Sequence, residues 1–434
     1  MLFSTVVIGM TMQRYEKFNS LSPNFSERVD SFSETAIIVM LNLNVYVSII
    51  LYLTKKAVSS QPEIKRYDMK RILLLTLTAL MSIGIQASKT LPLTGKVINP
   101  TDKHIQYVGR ICFDNPMRPR FTFPGTQINA RFTGTSLKMM AKPKSGYFMA
   151  QIDEAEPFKV GFMGERDSVV TLATALPKGE HTVRLMYAIE GYELKPSFWG
   201  FILDKDGIML DAPALPDRRI EFIGNSITCG YGNESTFEGD HFEYETENHY
   251  LAYAQQTTRD LGAVAHVVAR SGIGVYRHYG GPKTGTPENV MTTEYEYTNL
   301  YDRSEKWDFS RYQPQVVCIN LGTNDLSTNN YDVKLFKEAW KKFLAQVRQH
   351  NPKAKIVLLC GSMLLGKELE IAKNTLNEVM EEAKKDGDNE VYRFDFTPHN
   401  GSLYYGADWH PSYWQHQKMA GELTAFLRTL MQWF

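Results

Sequence analysis

The chain has 434 residues, too many for one hydrophobic core and enough for two domains with extensions. Hydrophobic residues make up 43% and aromatics 12%, which excludes a disordered chain. Lys plus Arg and Asp plus Glu both number 48, so the formal net charge is zero. With no long basic run either, no nucleic-acid partner is expected.

The first predicted element is a leader that does not start at residue 1. Met69 opens MKRILLLTLTALMSIGIQASK, with Lys70 and Arg71 ahead of an apolar run from Ile72 to Ile85 and a small-residue cleavage site at Ala87. This pattern predicts a signal peptide over 69–88, hence a secreted or periplasmic protein with no stable membrane partner after cleavage. Residues 1–68 carry an apolar stretch, Ala36 to Leu53, broken by Asn42, Asn44 and Ser48 and followed by Lys55 and Lys56. It reads as a membrane segment or as an extension upstream of a true start at Met69. We favour the extension, because an internal signal has no task behind an existing membrane span.

Over 90–216 the pattern has period two. Ile128, Ala130 and Phe132 alternate with Gln127, Asn129 and Arg131, and similar alternation recurs at Phe148–Ile152, Val183–Tyr187 and Trp199–Leu203. Pro124-Gly125, Lys144-Ser145-Gly146 and Pro177-Lys178-Gly179 supply turns, so an antiparallel β-sandwich is expected. Asp211 to Asp217, with two prolines, reads as a linker. From 217 to 434 strands alternate with helices. Strands are expected at Arg219–Gly224, Ala263–Ala269, Gln315–Leu321, Lys355–Cys360 and Val391–Phe396. Helices are expected at Tyr250–Leu261, around Phe336–Val347, from about Lys367 to Lys385, and over the last amphipathic stretch from Met419. That alternation predicts a parallel sheet covered on both faces, with its site beyond the carboxyl ends of the strands.

Cys112, Cys229, Cys318 and Cys360 form no metal-ligand spacing and read as buried apolar residues. Cys229 lies three residues after Ser226, so a cysteine nucleophile stays open as the lesser alternative.

Four strings carry the chemistry: GNSIT at 224–228, SG at 271–272, GTND at 322–325 and DWH at 408–410. Ser226 lies just past a strand, where it is either a nucleophile or a helix N-cap. Gly272 follows a strand and could present its N–H to a ligand or simply turn the chain. Asn324 could donate to an oxyanion or form a turn. Asp325 is expected to tie loops together. His410 could take the serine proton while Asp408 holds its other ring nitrogen; alone, the string is equally an exposed loop.

Together the strings resemble the SGNH (GDSL-type) hydrolase superfamily, with nucleophile, oxyanion residues and base in this order. The resemblance implies Ser226, His410 and Asp408 as catalytic residues. It implies an oxyanion hole from the N–H groups of Ser226 and Gly272 and the Asn324 side chain. Asn225 stands where an aspartate is commoner, and one residue rather than two separates Asp408 from His410. A β-sandwich ahead of such a domain and a DWHPS ending resemble carbohydrate esterase family 2. That resemblance implies a jelly-roll-like sandwich followed by a flavodoxin-like three-layer α/β/α domain. It also implies a secreted bacterial enzyme that deacetylates plant polysaccharide such as xylan or mannan, with no metal or cofactor. Some members lack the triad aspartate and use a Ser–His pair. A lipase or thioesterase on the same fold, and a non-catalytic carbohydrate-binding protein, are the alternatives.

Overall fold

The computed structural model describes residues 94–434. The signal-peptide reading of 69–88 and both readings of 1–68 fall outside these residues. Ten strands come first: β1 (Lys96–Ile98), β2 (Gln106–Val108), β3 (Gln127–Gly134), β4 (Leu137–Ala141), β5 (Gly146–Ile152), β6 (Phe158–Phe162), β7 (Val169–Ala173), β8 (Gly179–Tyr187), β9 (Phe198–Leu203) and β10 (Met209–Leu210). One sheet runs β1-β9-β4-β7. The other runs β10-β3-β8-β5-β6, with β2 also on β3, and all pairings are antiparallel. The period-two reading holds: Ile128, Ala130, Phe132, Phe148, Ala150, Val183, Leu185 and Tyr187 are all buried. Phe148 meets Phe162 and Tyr187 edge-on, with ring centres 5.9 and 5.1 Å apart, as aromatic quadrupoles favour.

After residues 211–218 the architecture changes. β11 (Arg219–Gly224) leads through the short α1 (Ser226–Cys229) to α2 (Tyr253–Asp260) and β12 (Val264–Ala269). α3 (Met291–Glu294) and a hairpin of β13 (Tyr297–Asn299) and β14 (Asp302–Lys306) precede β15 (Val316–Asn320). Then come α4 (Val333–His350), β16 (Lys355–Cys360), α5 (Gly366–Lys385), β17 (Val391–Asp395) and α6 (Tyr413–Met431). The five long-pattern strands form one parallel sheet in the order β12-β11-β15-β16-β17. Counted in chain order this is 2-1-3-4-5, the flavodoxin-like arrangement, and the order reverses between β11 and β15.

Both faces are covered, which is why the strands are apolar almost throughout. Phe336, Trp340, Phe343 and Val347 of α4 and Leu376 and Val379 of α5 pack with Ile223, Val317, Ile319 and Ile356. Tyr253 of α2 and Met419, Leu423 and Leu427 of α6 pack with Phe222, Val267, Cys318 and Leu359 on the opposite face. The helix expected at Tyr250–Leu261 is divided: a 3-10 turn at His249–Leu251 precedes α2, with Ala252 extended between them.

The two sheet systems belong to one compact unit, Leu93–Phe434, and a buried ion pair joins them. Arg110, from the loop after β2, reaches Glu221 in the middle of β11 at 3.3 Å; both side chains are buried. The guanidinium also lies 4.8 to 5.3 Å from the ring centres of Tyr295, Phe309 and Trp307. Tyr295 donates its hydroxyl to the other Glu221 oxygen at 2.7 Å. A pair taken this far out of water persists only with such added partners.

Candidate active site

The strand order brings three loops side by side. β11 sits between β12 and β15, so the segments beginning at Asn225, Arg270 and Leu321 leave adjacent strands at their carboxyl ends. Ser226 opens α1 at a sharp strand-to-helix turn. A Cβ on Gly224 would run into the Thr228 side chain, so glycine is required there. Asn225 caps the helix, its Oδ1 accepting the Ile227 N–H at 3.1 Å. A cap needs only an oxygen acceptor, which asparagine supplies as well as aspartate.

His410 completes the first contact. Its Nε2 lies 2.9 Å from Ser226 Oγ, although 184 residues separate them. Burial lowers the imidazole to about 4, against the pull of the Ala407 and Asp408 carbonyls and the Asp408 charge. The ring is therefore neutral near pH 7, the form that can accept a serine proton. Tyr231 stacks on it at 4.1 Å between ring centres.

The expectation that Asp408 holds the second ring nitrogen is corrected. His410 Nδ1 lies 3.1 Å from the Ala407 carbonyl and 3.2 Å from the Asp408 carbonyl. The Asp408 carboxylate instead accepts the Tyr231 hydroxyl at 2.6 Å and meets His241 Nδ1 at 3.0 Å. The cause is the backbone. Asp408 and Trp409 are consecutive left-handed residues, with φ of 49° and 57°, which turn the carbonyls toward the ring and the carboxylate away. The turn is anchored by Asp408 N–H to the Asp240 carbonyl at 2.9 Å and Gly406 N–H to the His410 carbonyl at 2.8 Å. Burial would raise the Asp408 carboxyl, but the Tyr231 and His241 contacts outweigh it and hold it below the usual range.

Gly272 adopts φ 77°, a left-handed conformation in which the residue type is dictated by backbone, since a Cβ would meet nothing nearer than 3.5 Å. Asn324 is buried after β15 and spends one amide hydrogen on the Ile273 carbonyl at 2.8 Å, which leaves a second donor. Asp325 ties loops, as expected. Its carboxylate accepts the N–H groups of Val275, Tyr276 and Arg277 at 2.9 to 3.3 Å. Burial raises that carboxyl to about 6 while the N–H donors pull it down. The approach is so close that a Cβ on Gly274 would strike the carboxylate.

Cys229 is wholly buried and burial holds its thiol well above the ordinary value, so it is not the thiolate a cysteine nucleophile needs. The other three cysteines are buried and unpaired too. Reading the sequence missed Tyr231 and His241. Tyr231 lies five residues after Ser226, a local signal in the sequence; nothing local marks His241.

Residues 107–213 match the family described as Carbohydrate esterase 2 N-terminal, and residues 222–418 match the GDSL-like Lipase/Acylhydrolase family. Over 342 residues the chain is 30% identical to an acetylxylan esterase / glucomannan deacetylase of Cellvibrio japonicus, covering 74% of this chain and 89% of that protein. The chain belongs to carbohydrate esterase family 2. This family 2 esterase is 38% identical over 329 residues to the cellulase/esterase CelE of Acetivibrio thermocellus, covering 76% of this chain and spanning 40% of CelE. Its fold matches a solved family two carbohydrate esterase from Clostridium thermocellum in complex with cellohexaose, with a TM-score of 0.71 and 39% identity. That match covers 76% of this chain and all of the other. Membership classes the protein with the carboxylic ester hydrolases.

Proposed function

We propose that this family 2 esterase removes O-acetyl groups from plant cell-wall polysaccharide, acetylated xylan or mannan, through an acetyl-serine intermediate. The observation that carries this is the 2.9 Å contact between Ser226 Oγ and His410 Nε2. The Cellvibrio japonicus relative, an acetylxylan esterase / glucomannan deacetylase, supports the substrate class. Exposed aromatic faces beside the site, Trp409 and Tyr279, suit stacking on sugar rings.

In this reading Ser226 Oγ attacks the acetyl carbonyl carbon and its proton passes to His410 Nε2. The carbonyl oxygen takes the negative charge and is met by the N–H groups of Ser226 and Gly272 and by Asn324 Nδ2. Collapse breaks the bond between the carbonyl carbon and the sugar oxygen, which takes the proton from Nε2. Water then attacks the acetyl-serine with His410 as base, acetate departs, and Ser226 regains its proton. The Ala407 and Asp408 carbonyls hold the imidazole and stabilise its charged form, the part Asp plays in a triad. Secretion through the signal peptide at Met69 belongs to the same proposal.

Ser226→Ala tests it on acetylated xylan, acetylated glucomannan and an aryl acetate. The variant should lose at least about 10³-fold in rate on all three, since the nucleophile is gone. Undiminished hydrolysis removes Ser226 from the mechanism. A wild type that prefers long-chain acyl esters replaces the glycan reading with a lipase one.

A further inference from the structure

A second cluster of reactive side chains adjoins the Ser226 helix. Glu190, Cys229 and Glu247 are all buried, and one Sγ or carboxylate oxygen from each lies within 4.8 Å of the others. They come from three parts of the chain. Glu190 follows β8 and belongs to the antiparallel system. Cys229 ends α1, the helix that begins with Ser226. Glu247 lies just before the 3-10 turn at His249–Leu251.

Both Oε2 atoms already have partners. Glu247 Oε2 accepts the Glu190 N–H at 3.1 Å, and Glu190 Oε2 accepts the Ser271 N–H at 2.7 Å. Each of these bonds ties a carboxyl to a backbone N–H, while Glu247 Oε1 has no hydrogen-bond partner. The segment around Glu190 is itself fixed: Gly191 N–H donates to the Thr122 carbonyl at 2.8 Å, and the Ala188 carbonyl accepts the His249 N–H at 2.7 Å. Burial raises both carboxyls, Glu247 well above its ordinary value with the Glu190 charge adding to the effect.

Two buried carboxyls are costly, and apolar side chains would fill the space at less expense in free energy. The contact that the Glu190 carboxyl makes falls on Ser271, the residue immediately before Gly272. The far flank of the same loop is tied by Asn324 to Ile273 and by Asp325 to the N–H groups of Val275, Tyr276 and Arg277. On the near flank, Arg270 N–H donates to the Gly224 carbonyl at a long 3.3 Å. The 2.7 Å contact to Glu190 is thus the short tie on that side.

We propose that Glu190 is a positioning residue of the oxyanion hole: a carboxyl supplied by the antiparallel system that fixes the Ser271 peptide and, through it, the aim of the Gly272 N–H. The same carboxyl lies within 4.8 Å of Cys229 Sγ, at the end of the helix that begins with Ser226. The inference rests on Gly272 acting as an oxyanion donor in the proposed ester hydrolysis.

The test is steady-state kinetics of the full chain on an aryl acetate, comparing wild type, Ser226→Ala, Glu190→Ala and Glu190→Gln. Glutamine keeps an oxygen that can accept the Ser271 N–H; alanine does not. Glu190→Ala should lower kcat by about 10–100-fold, less than the about 10²–10³ for deleting a donor outright, and leave KM within about twofold. Glu190→Gln should restore kcat to within about threefold of wild type. A trifluoromethyl ketone, which places an oxyanion on the nucleophile, should lose affinity for Glu190→Ala by the same factor as kcat. Wild-type kcat in Glu190→Ala overturns the proposal, as does a loss confined to KM, or a loss in kcat that glutamine does not repair. Should Glu190→Ala fail to fold, Glu190→Asp, one methylene short of Ser271, is read by the same criteria. If wild type and Ser226→Ala hydrolyse the ester alike, the parent reading falls instead, which is a different outcome.

Discussion

The two loops that flank Ser226 are held by opposite means. The loop after β12 is clamped by side chains: Asp325 accepts three successive N–H groups, Asn324 grips Ile273, and Glu190 takes the Ser271 N–H. The loop that carries His410 is held largely through backbone groups: two consecutive left-handed residues, carbonyls aimed at the imidazole, and the Asp408 N–H on the Asp240 carbonyl. Donors that must meet a developing charge need a fixed direction, and buried carboxylates supply it. A base that must orient one ring needs acceptors only, and a turned peptide chain offers two. In the proposed mechanism this leaves the Asp408 carboxylate no task at the ring, since two carbonyls already face Nδ1.

The contrast can be broken most severely on the side-chain loop. Asp325→Ala would leave three buried backbone N–H groups without their acceptor, a loss of about 3 kcal/mol or more. A large fall in the urea midpoint, with activity falling alongside, is expected; a midpoint equal to wild type would mean that the loop holds itself. On the histidine side, pH sharpens the comparison. A ring lowered to about 4 by burial stays neutral, and able to accept a proton, well below the ordinary histidine value. The acid limb of kcat/KM should therefore have its midpoint below pH 6.5, toward 4, and a limb at or above 6.5 would show that the ring is not shielded. The lowered value also means the unfolded chain takes up a proton that the native state refuses, so this group's contribution to stability declines as pH falls from about 6.5 toward 4. The smallest effect is expected from Asp408→Ala. Removing the carboxyl should cost less than about tenfold in kcat on an aryl acetate, because Nδ1 keeps its two carbonyls; a loss near the about 10⁴ known for a true triad aspartate would make Asp408 the third member of a triad.

Much of this was legible from residue patterns. The five parallel strands announced themselves as apolar runs because both faces are covered, and Ser226, Gly272 and Asn324 each sit where a run stops. The Ser226–His410 pairing followed from the order of motifs. The role given to Asp408 did not survive, because spacing along a chain says nothing about φ: the same Asp-Trp-His could turn its carboxylate or its carbonyls inward, and two left-handed residues decided it. The β13–β14 hairpin escaped notice because Asp302–Lys306 is charged and mostly solvent-facing, with no apolar alternation to mark it. Glu190 was invisible for another reason. It belongs to the other sheet system, and only the folded chain sets it against Ser271.

The Arg110–Glu221 pair has a consequence for how such a gene can change. Glu221 lies on the central region of the parallel sheet, and its counter-ion is lent by the antiparallel half. A chain that carried the later half without the earlier one would hold a buried carboxylate without its counter-ion. Separating the two halves would therefore leave one buried charge of the pair without its counter-ion.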